Sequence, residues 1–376
     1  MTDEQKTLQW LRLSMTPGLG PVTGGRLVAE FGSPAGVFKA GREGLTRVKG
    51  VGKAAVDGLK SSAPLEEAKK TMEKCAHMGV SVICPEDPSY PSLLSRIADP
   101  PLVLFVKGSL PDEEPPAVAM VGSRNPDPYG ESMAAKIASG LARAGVTVVS
   151  GMARGIDGAC QGAAMKAGGR SIAVLGTGVD VIYPPEHKEL YNELCEKGAI
   201  FSEYPPGTRA DAKNFPRRNR IVSGISLGVV MVQAMSEKSG ALITVRQALD
   251  QDREVFAVPG NAGSRGGRVG NMLIKEGAKL VEEARDVLVH ISPIGSVPLD
   301  TDEDEKQEAL PLGLPDRESS VYALVPPPSE GEIDLDALAR QLGLSVSETG
   351  QALLELELEG LIKSLPGKRY VRLSQS

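Results

Sequence analysis

The chain has 376 residues, 42 Lys and Arg against 48 Asp and Glu, and a formal net charge of −6. That length accommodates two or three domains, and 41% hydrophobic with 24% charged residues is ordinary for a soluble globular protein. No apolar run approaches the roughly 20 residues of a membrane span, and no basic-then-apolar leader opens the chain, so a cytoplasmic protein is expected. Four scattered cysteines (Cys75, Cys84, Cys160, Cys195) and three histidines speak against a disulfide framework or a metal cage.

The charge is unevenly spread. Residues 1–62 carry nine Lys/Arg and five Asp/Glu, residues 63–292 carry 26 and 27, and residues 293–376 carry seven and sixteen. Local clusters, rather than the whole-chain balance, therefore indicate the partner.

Residues 1–62 read as a helical domain of the helix-hairpin-helix kind. Pro17-Gly18-Leu19-Gly20 and Lys49-Gly50-Val51-Gly52-Lys53 each place a Gly-apolar-Gly turn before an apolar-periodic helix. Exposed amides at such turns suit a phosphate, and the same glycines would equally serve to cap short helices. From residue 64 to 292 short apolar runs alternate with amphipathic helices. Strands are expected at Val80–Cys84, Val103–Val106, Ala117–Val121, Val146–Ser150, Ser171–Leu175, Ala199–Phe201, Gly228–Val232 and Glu254–Val258. Helices such as Gly130–Ala144 and Ala159–Ala167 lie between several of them. This alternation predicts an α/β fold, a doubly wound and mostly parallel sheet with ligands at the carboxyl ends of its strands.

Residues 293–317 form an acidic, Pro-rich stretch that reads as a linker. Residues 318–376 regain periodicity. Ile333–Leu342 reads as one helix, and Ser345-Val346-Ser347-Glu348 is a capping box that opens a second. Leu361–Leu365 and Lys368–Leu373 then form a hairpin, and the whole describes a winged helix.

Four turns after predicted strands are rich in glycine and polar donors: Gly122-Ser123-Arg124, Gly151 to Asp157, Gly176-Thr177-Gly178, and Lys238 to Thr244. Small residues let a ligand approach the backbone, and exposed amides and hydroxyls donate to anionic oxygens. Arg124 and Arg154 add full charges, with Asp157 placed to orient Arg154. The densest cluster follows: Arg209 to Arg220 holds five cations (Arg209, Lys213, Arg217, Arg218, Arg220) against Asp211. Phe215 and Asn219 sit inside it. Guanidinium forks for phosphates and a ring on which a base stacks are what single-stranded nucleic acid requires. Glu203, after a strand, is placed to hold one of these arginines.

No Gly-x-x-x-x-Gly-Lys-Ser/Thr loop, Gly-x-Gly-x-x-Gly turn or Gly-x-Ser-x-Gly elbow occurs. A pocket with phosphate grips and no recognisable catalyst reads as a binding site, with no enzyme, cofactor or metal expected.

In these motifs the chain resembles the bacterial DNA-processing protein A family (DprA, also called Smf). The resemblance rests on Gly122-Ser123-Arg124, Ser150-Gly151 with Ala153-Arg154-Gly155-Ile156-Asp157, Tyr183-Pro184, Ser202-Glu203, and Phe215-Pro216 with Arg218-Asn219-Arg220. Ser239-Gly240 with Leu242-Ile243-Thr244, Val258-Pro259-Gly260 and Asn271 with Leu273-Ile274 extend it. It implies an extended Rossmann core between a helical domain and a winged helix. It further implies a recombination mediator that binds and protects single-stranded DNA and loads the RecA recombinase against single-strand-binding protein, in recombination or natural transformation by competent cells. The implied DNA site comprises Gly122, Ser123, Arg124, Gly151, Arg154, Gly155, Lys213, Phe215, Arg217, Arg218, Asn219, Arg220, Ser239 and Thr244. Ile274 and Leu280 are the implied homodimer contacts. Gln233 stands where members of that family usually carry Glu.

Two features qualify this picture. The second winged-helix helix carries Glu348, Glu355, Glu357 and Glu359 with no Lys or Arg, so a protein contact is expected there rather than duplex DNA. The competing reading of the core is a Rossmann-like phosphoribohydrolase of nucleoside monophosphates. It lacks support because no carboxylate closely follows Ser239 to Thr244.

Overall fold

The structure, a computed structural model, describes residues 2–111, 115–291, 316–327 and 331–373. Strands β1 (Ser81–Ile83), β2 (Leu104–Gly108), β3 (Ala117–Gly122), β4 (Thr147–Ser150), β5 (Ser171–Val174), β6 (Ala199–Ser202), β7 (Gly228–Gln233), β8 (Glu254–Ala257) and β9 (Lys279–Leu280) form one sheet. Its order is β1-β2-β6-β5-β4-β3-β7-β8-β9. From β6 to β9 all neighbours pair in parallel, while β1, β2 and β6 pair antiparallel.

The central strands are buried along their whole length, as in β4, β6 and β7. Helices cover such strands on both faces, which explains why they read as continuous apolar runs rather than alternating ones. Chain order reverses at β3: β4 to β6 add on one side, β7 to β9 on the other. A crevice opens at the carboxyl ends where the connections diverge.

Ahead of the sheet, six helices run between Asp3 and His77. Gly20 and Gly52 stand at the N-caps of the helices Pro21–Phe31 and Lys53–Lys60, as the two turns predict. The expected boundary near residue 62 does not separate two cores. Trp10, Leu27, Leu45 and Leu59 belong to the same buried cluster as Cys75, Phe105 and Leu175. The helix Ala63–His77 packs against Asp3–Ser14 and continues that cluster into the sheet.

The chain divides into two compact units, one around the nine-stranded sheet and one around a second, three-stranded sheet. In the second, β10 (Ile333–Asp334), β11 (Ile362–Leu365) and β12 (Arg369–Arg372) lie in the order β10-β12-β11. Helices Asp316–Leu324, Leu335–Leu342 and Val346–Leu358 enclose Val321, Tyr322, Leu338, Leu353 and Ile362. Ser345 caps the third of these through the expected box with Glu348. The first is an addition to the two-helix reading, and it begins inside the stretch taken as linker; residues 293–315 of that stretch lie outside the described residues. Among the described residues no helix is long and apolar enough to cross a membrane.

Candidate nucleic-acid interface

The turns after β3, β4 and β7 meet the helix Asn214–Gly224 around a cleft of about 700 Å³. Gly122, Ser123, Arg124, Gly151, Phe215, Arg218, Asn219, Ser239 and Thr244 all line it, together with Lys238 and Asp157. Two further helices, Ile156–Lys166 and Ala241–Asp250, begin at this end of the sheet. Their first amides and dipoles favour negative charge there.

From Asn214 onward the basic segment is a helix. Pro216 falls in its first turn, where an N–H would have no intrahelical partner, so the proline is tolerated. The helical period of about 100° per residue then sorts the cations. Phe215, Arg218, Asn219 and Val222 face the cleft. Arg217 and Arg220 fall on the other side and are not among the residues lining it, and Arg220 is the arginine that Glu203 holds. Arg217 is exposed. Arg220 is buried, its Nη2 2.6 Å from Glu203 Oε2 and its Nε 3.0 Å from Asp99 Oδ2. Lys213 is exposed at the helix N-terminus.

Arg218 lines the cleft but is only 5% exposed. Its Nη1 donates to the carbonyl oxygens of Gly151, at 2.8 Å, and Val174, and its Nε donates to Asn219 Oδ1 at 3.1 Å. Loss of water lowers its pKa to about 10, against the pull of nearby Asp157. Asp157 is itself buried, which raises its pKa. It accepts from the amides of Gly151 at 3.2 Å and Ala153 at 3.3 Å. The expected role of Asp157 as a support for Arg154 is therefore corrected. Arg154 pairs instead with Glu186, at the exposed rim. Gly151 leaves no room for a Cβ, which would run into the guanidinium of Arg218.

Arg124 is an exposed cation of the cleft, with its guanidinium carbon 5.9 Å from the centre of the Phe215 ring. That ring pairs with Tyr183 at a centroid distance of 5.5 Å and a tilt of 35°. The tilted pair closes a recess of about 30 Å³ against Gly176 and Thr177. Asn219 reaches the Gly240 carbonyl at 3.5 Å, and Asn214 donates to Gly176 O at 3.1 Å, fixing the helix to two of the turns. Ser123 Oγ accepts from Asn125 N at 3.1 Å and keeps its proton to donate. Gly155 has φ +71°, and a Cβ there would meet the Arg124 carbonyl carbon at 2.7 Å.

Tyr183 and Lys238 are cleft residues absent from the expected set. Their signals were on the page: Tyr183 directly precedes Pro184 among the resemblance motifs, and Lys238 opens the fourth polar turn. Ile274 and Leu280 lie away from the cleft. Leu280 is exposed on the edge strand β9, and Ile274 is half-buried against the sheet core.

Residues 81–292 match the family model for DNA recombination-mediator protein A, and residues 305–368 match that for the DprA winged helix domain. The Smf protein of Synechocystis is 32% identical over 96% of this chain and 98% of its own length. The Smf protein of Escherichia coli is 41% identical over 76% of each. Among solved structures, DNA processing protein A of Streptococcus pneumoniae superposes with a TM-score of 0.64 at 32% identity, covering 76% of this chain and 98% of that one. The Helicobacter pylori protein, described for its single-stranded DNA binding mode, matches with a TM-score of 0.50 at 28% identity, over 56% of this chain and 94% of its own. The sheet order, the polar turns on its carboxyl edge and these matches together place the chain in the DNA recombination-mediator protein A (DprA/Smf) family.

Proposed function

We propose that the cleft holds single-stranded DNA and that the protein protects such strands and loads RecA onto them against single-strand-binding protein. One observation carries the reading: Arg124 and Tyr183 both neighbour the Phe215 ring in the cleft at the switch point of the sheet. A strand offers both a charge for the guanidinium and a π-face for the rings, and a duplex hides the second. Arg124 and Lys238 take phosphates, with Lys213 and Arg217 available to flanking nucleotides. Gly122, Gly151 and Gly155 let the turns pack closely against Gln233, Arg218 and Arg124, and Ser123, Ser239 and Thr244 supply donors. Arg218 and Arg220 act by holding the cleft walls, and Arg154 joins in only when released from Glu186. We assign no catalytic role to the cleft, because Asp157 is buried under two amides and Gln233 carries no acid.

The mediator role is supported by family membership, as is use in natural transformation where the host is competent. A homodimer through Ile274 and Leu280 would set two clefts on one strand and raise affinity by effective concentration. The exposure of Leu280 on an edge strand favours this.

Fluorescence anisotropy with labelled oligo-dT and its duplex, across salt, tests the reading. Tight single-strand binding that weakens with salt and collapses in Arg124→Ala is expected. A folded protein that ignores the single strand and releases free base from nucleoside monophosphates would overturn it.

A further inference from the structure

The helix Val346–Leu358 of the winged-helix unit carries two apolar faces. Thr349, Ala352, Leu353 and Leu356 turn inward and are buried. At about 100° per residue, the line opposite the middle of that face runs through Leu354 and Leu358. They are 57% and 80% exposed. Spillover from the core would place leucines at the margins of the buried arc. These stand at its antipode, one turn apart, where among the described residues nothing in the unit's packing calls for an aliphatic side chain.

Carboxylates frame the pair. Glu355 and Glu359 follow the leucines in sequence, Glu348 lies nearly two turns before the first of them, and the helix has no Lys or Arg. Burial of the leucines would bring a ligand within reach of this acidic margin. Duplex DNA is disfavoured, because its phosphates would meet Glu355 and Glu359, which have no cation within ion-pair distance among the described residues, whereas Glu348 lies 3.9 Å from Arg317. A second copy of the same face is disfavoured for the same reason: a two-fold contact sets Glu355 and Glu359 against their own images.

We propose that this face docks an amphipathic helix of another protein, one with aliphatic anchors at i and i+4 flanked by Lys or Arg. Anchors at that spacing are how one helix reads the apolar face of another. The charge of the margin selects the basic partner and steers its approach. The inference is independent of the cleft.

The test uses the full-length protein and a fluorescein-labelled 14-residue peptide of Leu and Lys with leucines on one helical face, read by anisotropy. A matching Leu/Glu peptide is the control. The Leu/Lys peptide is expected to bind, and Leu354→Ser with Leu358→Ser to weaken it at least tenfold. Glu355→Gln with Glu359→Gln should weaken it several-fold and flatten its salt dependence, and the control peptide should not bind. All four positions face solvent, so the variants keep the fold, checked by circular dichroism. Equal affinity in the leucine variant would reduce the binding to bulk charge and overturn the proposal, as would no binding to the parent protein. Concentration-dependent self-association lost in the leucine variant would identify a second copy as the occupant and overturn it too.

Discussion

Arg218 donates from Nη1 to the carbonyl oxygen of Gly151 at 2.8 Å, and this bond separates the arginines of the cleft into two kinds. Arg218 is walled in by backbone carbonyls and stands near buried Asp157. Arg124, which lines the same cleft, is exposed. Removing the first leaves the buried Gly151 and Val174 carbonyls without this donor, at roughly 1–3 kcal/mol of stability. Removing the second leaves the fold within about 0.5 kcal/mol of the parent. Arg124→Ala should therefore lose single-strand affinity with an unchanged urea midpoint, whereas Arg218→Ala loses both together. Equal midpoints for the two variants would refute the division.

The Phe215 ring should contribute about 1–3 kcal/mol to strand binding by stacking. Phe215→Ala lowers affinity accordingly, and Phe215→Tyr preserves most of it. The two kinds of contact differ in their response to salt. Loss of a ring leaves the number of neutralised phosphates unchanged, so the slope of log affinity against log salt stays at the parent value. Arg124→Ala reduces that slope by about one. Parallel slopes for both variants would remove Arg124 from the phosphate contacts.

Gly155 links the turns after β3 and β4. With φ +71° and a Cβ position 2.7 Å from the Arg124 carbonyl carbon, alanine there meets both backbone strain and a clash with main chain. The strain alone is about 1–3 kcal/mol. Gly155→Ala should lower the melting temperature and also displace Arg124, so its residual DNA affinity falls to that of Arg124→Ala. A variant that melts early but binds normally would show that the two turns are not coupled.

Eight of the nine strands of the large sheet were legible as short, mostly apolar runs, and in central strands such as β4, β6 and β7 the run marks burial on both faces. β9 was not, since Lys279 and Leu280 give two residues and no period. The helix Asn214–Gly224 escaped for a different reason. Its proline and packed cations suggest an irregular segment, and only the helical period separates Arg218 from Arg217 and Arg220. The chemistry of the cleft was legible as composition, yet which guanidinium is buried depends on Glu203, Asp99 and the Val174 carbonyl. Glu203 is announced by its place after a strand, whereas Asp99 and the Val174 carbonyl are distant in sequence and no local pattern announces them.

Glu203 faces Arg220 in a mostly buried pair, and burial raises its pKa above the ordinary 4.5 despite the attraction of Arg220. A carboxyl whose folded pKa is raised contributes stability that is fully present below the unfolded value and is lost as pH rises through the folded one. The stability of the parent relative to Glu203→Gln should thus decline between pH 4.5 and the raised folded value, then level off. Urea titrations of both proteins at several pH values check this. A difference that grows with pH would mean that attraction to Arg220 outweighs desolvation.

Arg154 and Glu186 form an exposed ion pair at the rim of the cleft, and hydrogen bonding to the guanidinium lowers the carboxyl pKa. Such pairs contribute little to stability, so the fold does not depend on it. Its effect falls on binding, because the carboxylate competes with phosphate for the same fork of donors. Glu186→Gln frees Arg154 without altering the backbone, and single-strand affinity at low salt should rise by about two- to fivefold, the worth of an exposed pair. The gain should vanish in Glu186→Gln combined with Arg154→Ala, which isolates the guanidinium from the general loss of negative charge. If the double variant keeps the gain, the improvement comes from removing a repulsive carboxylate, and Arg154 has no place in the cleft.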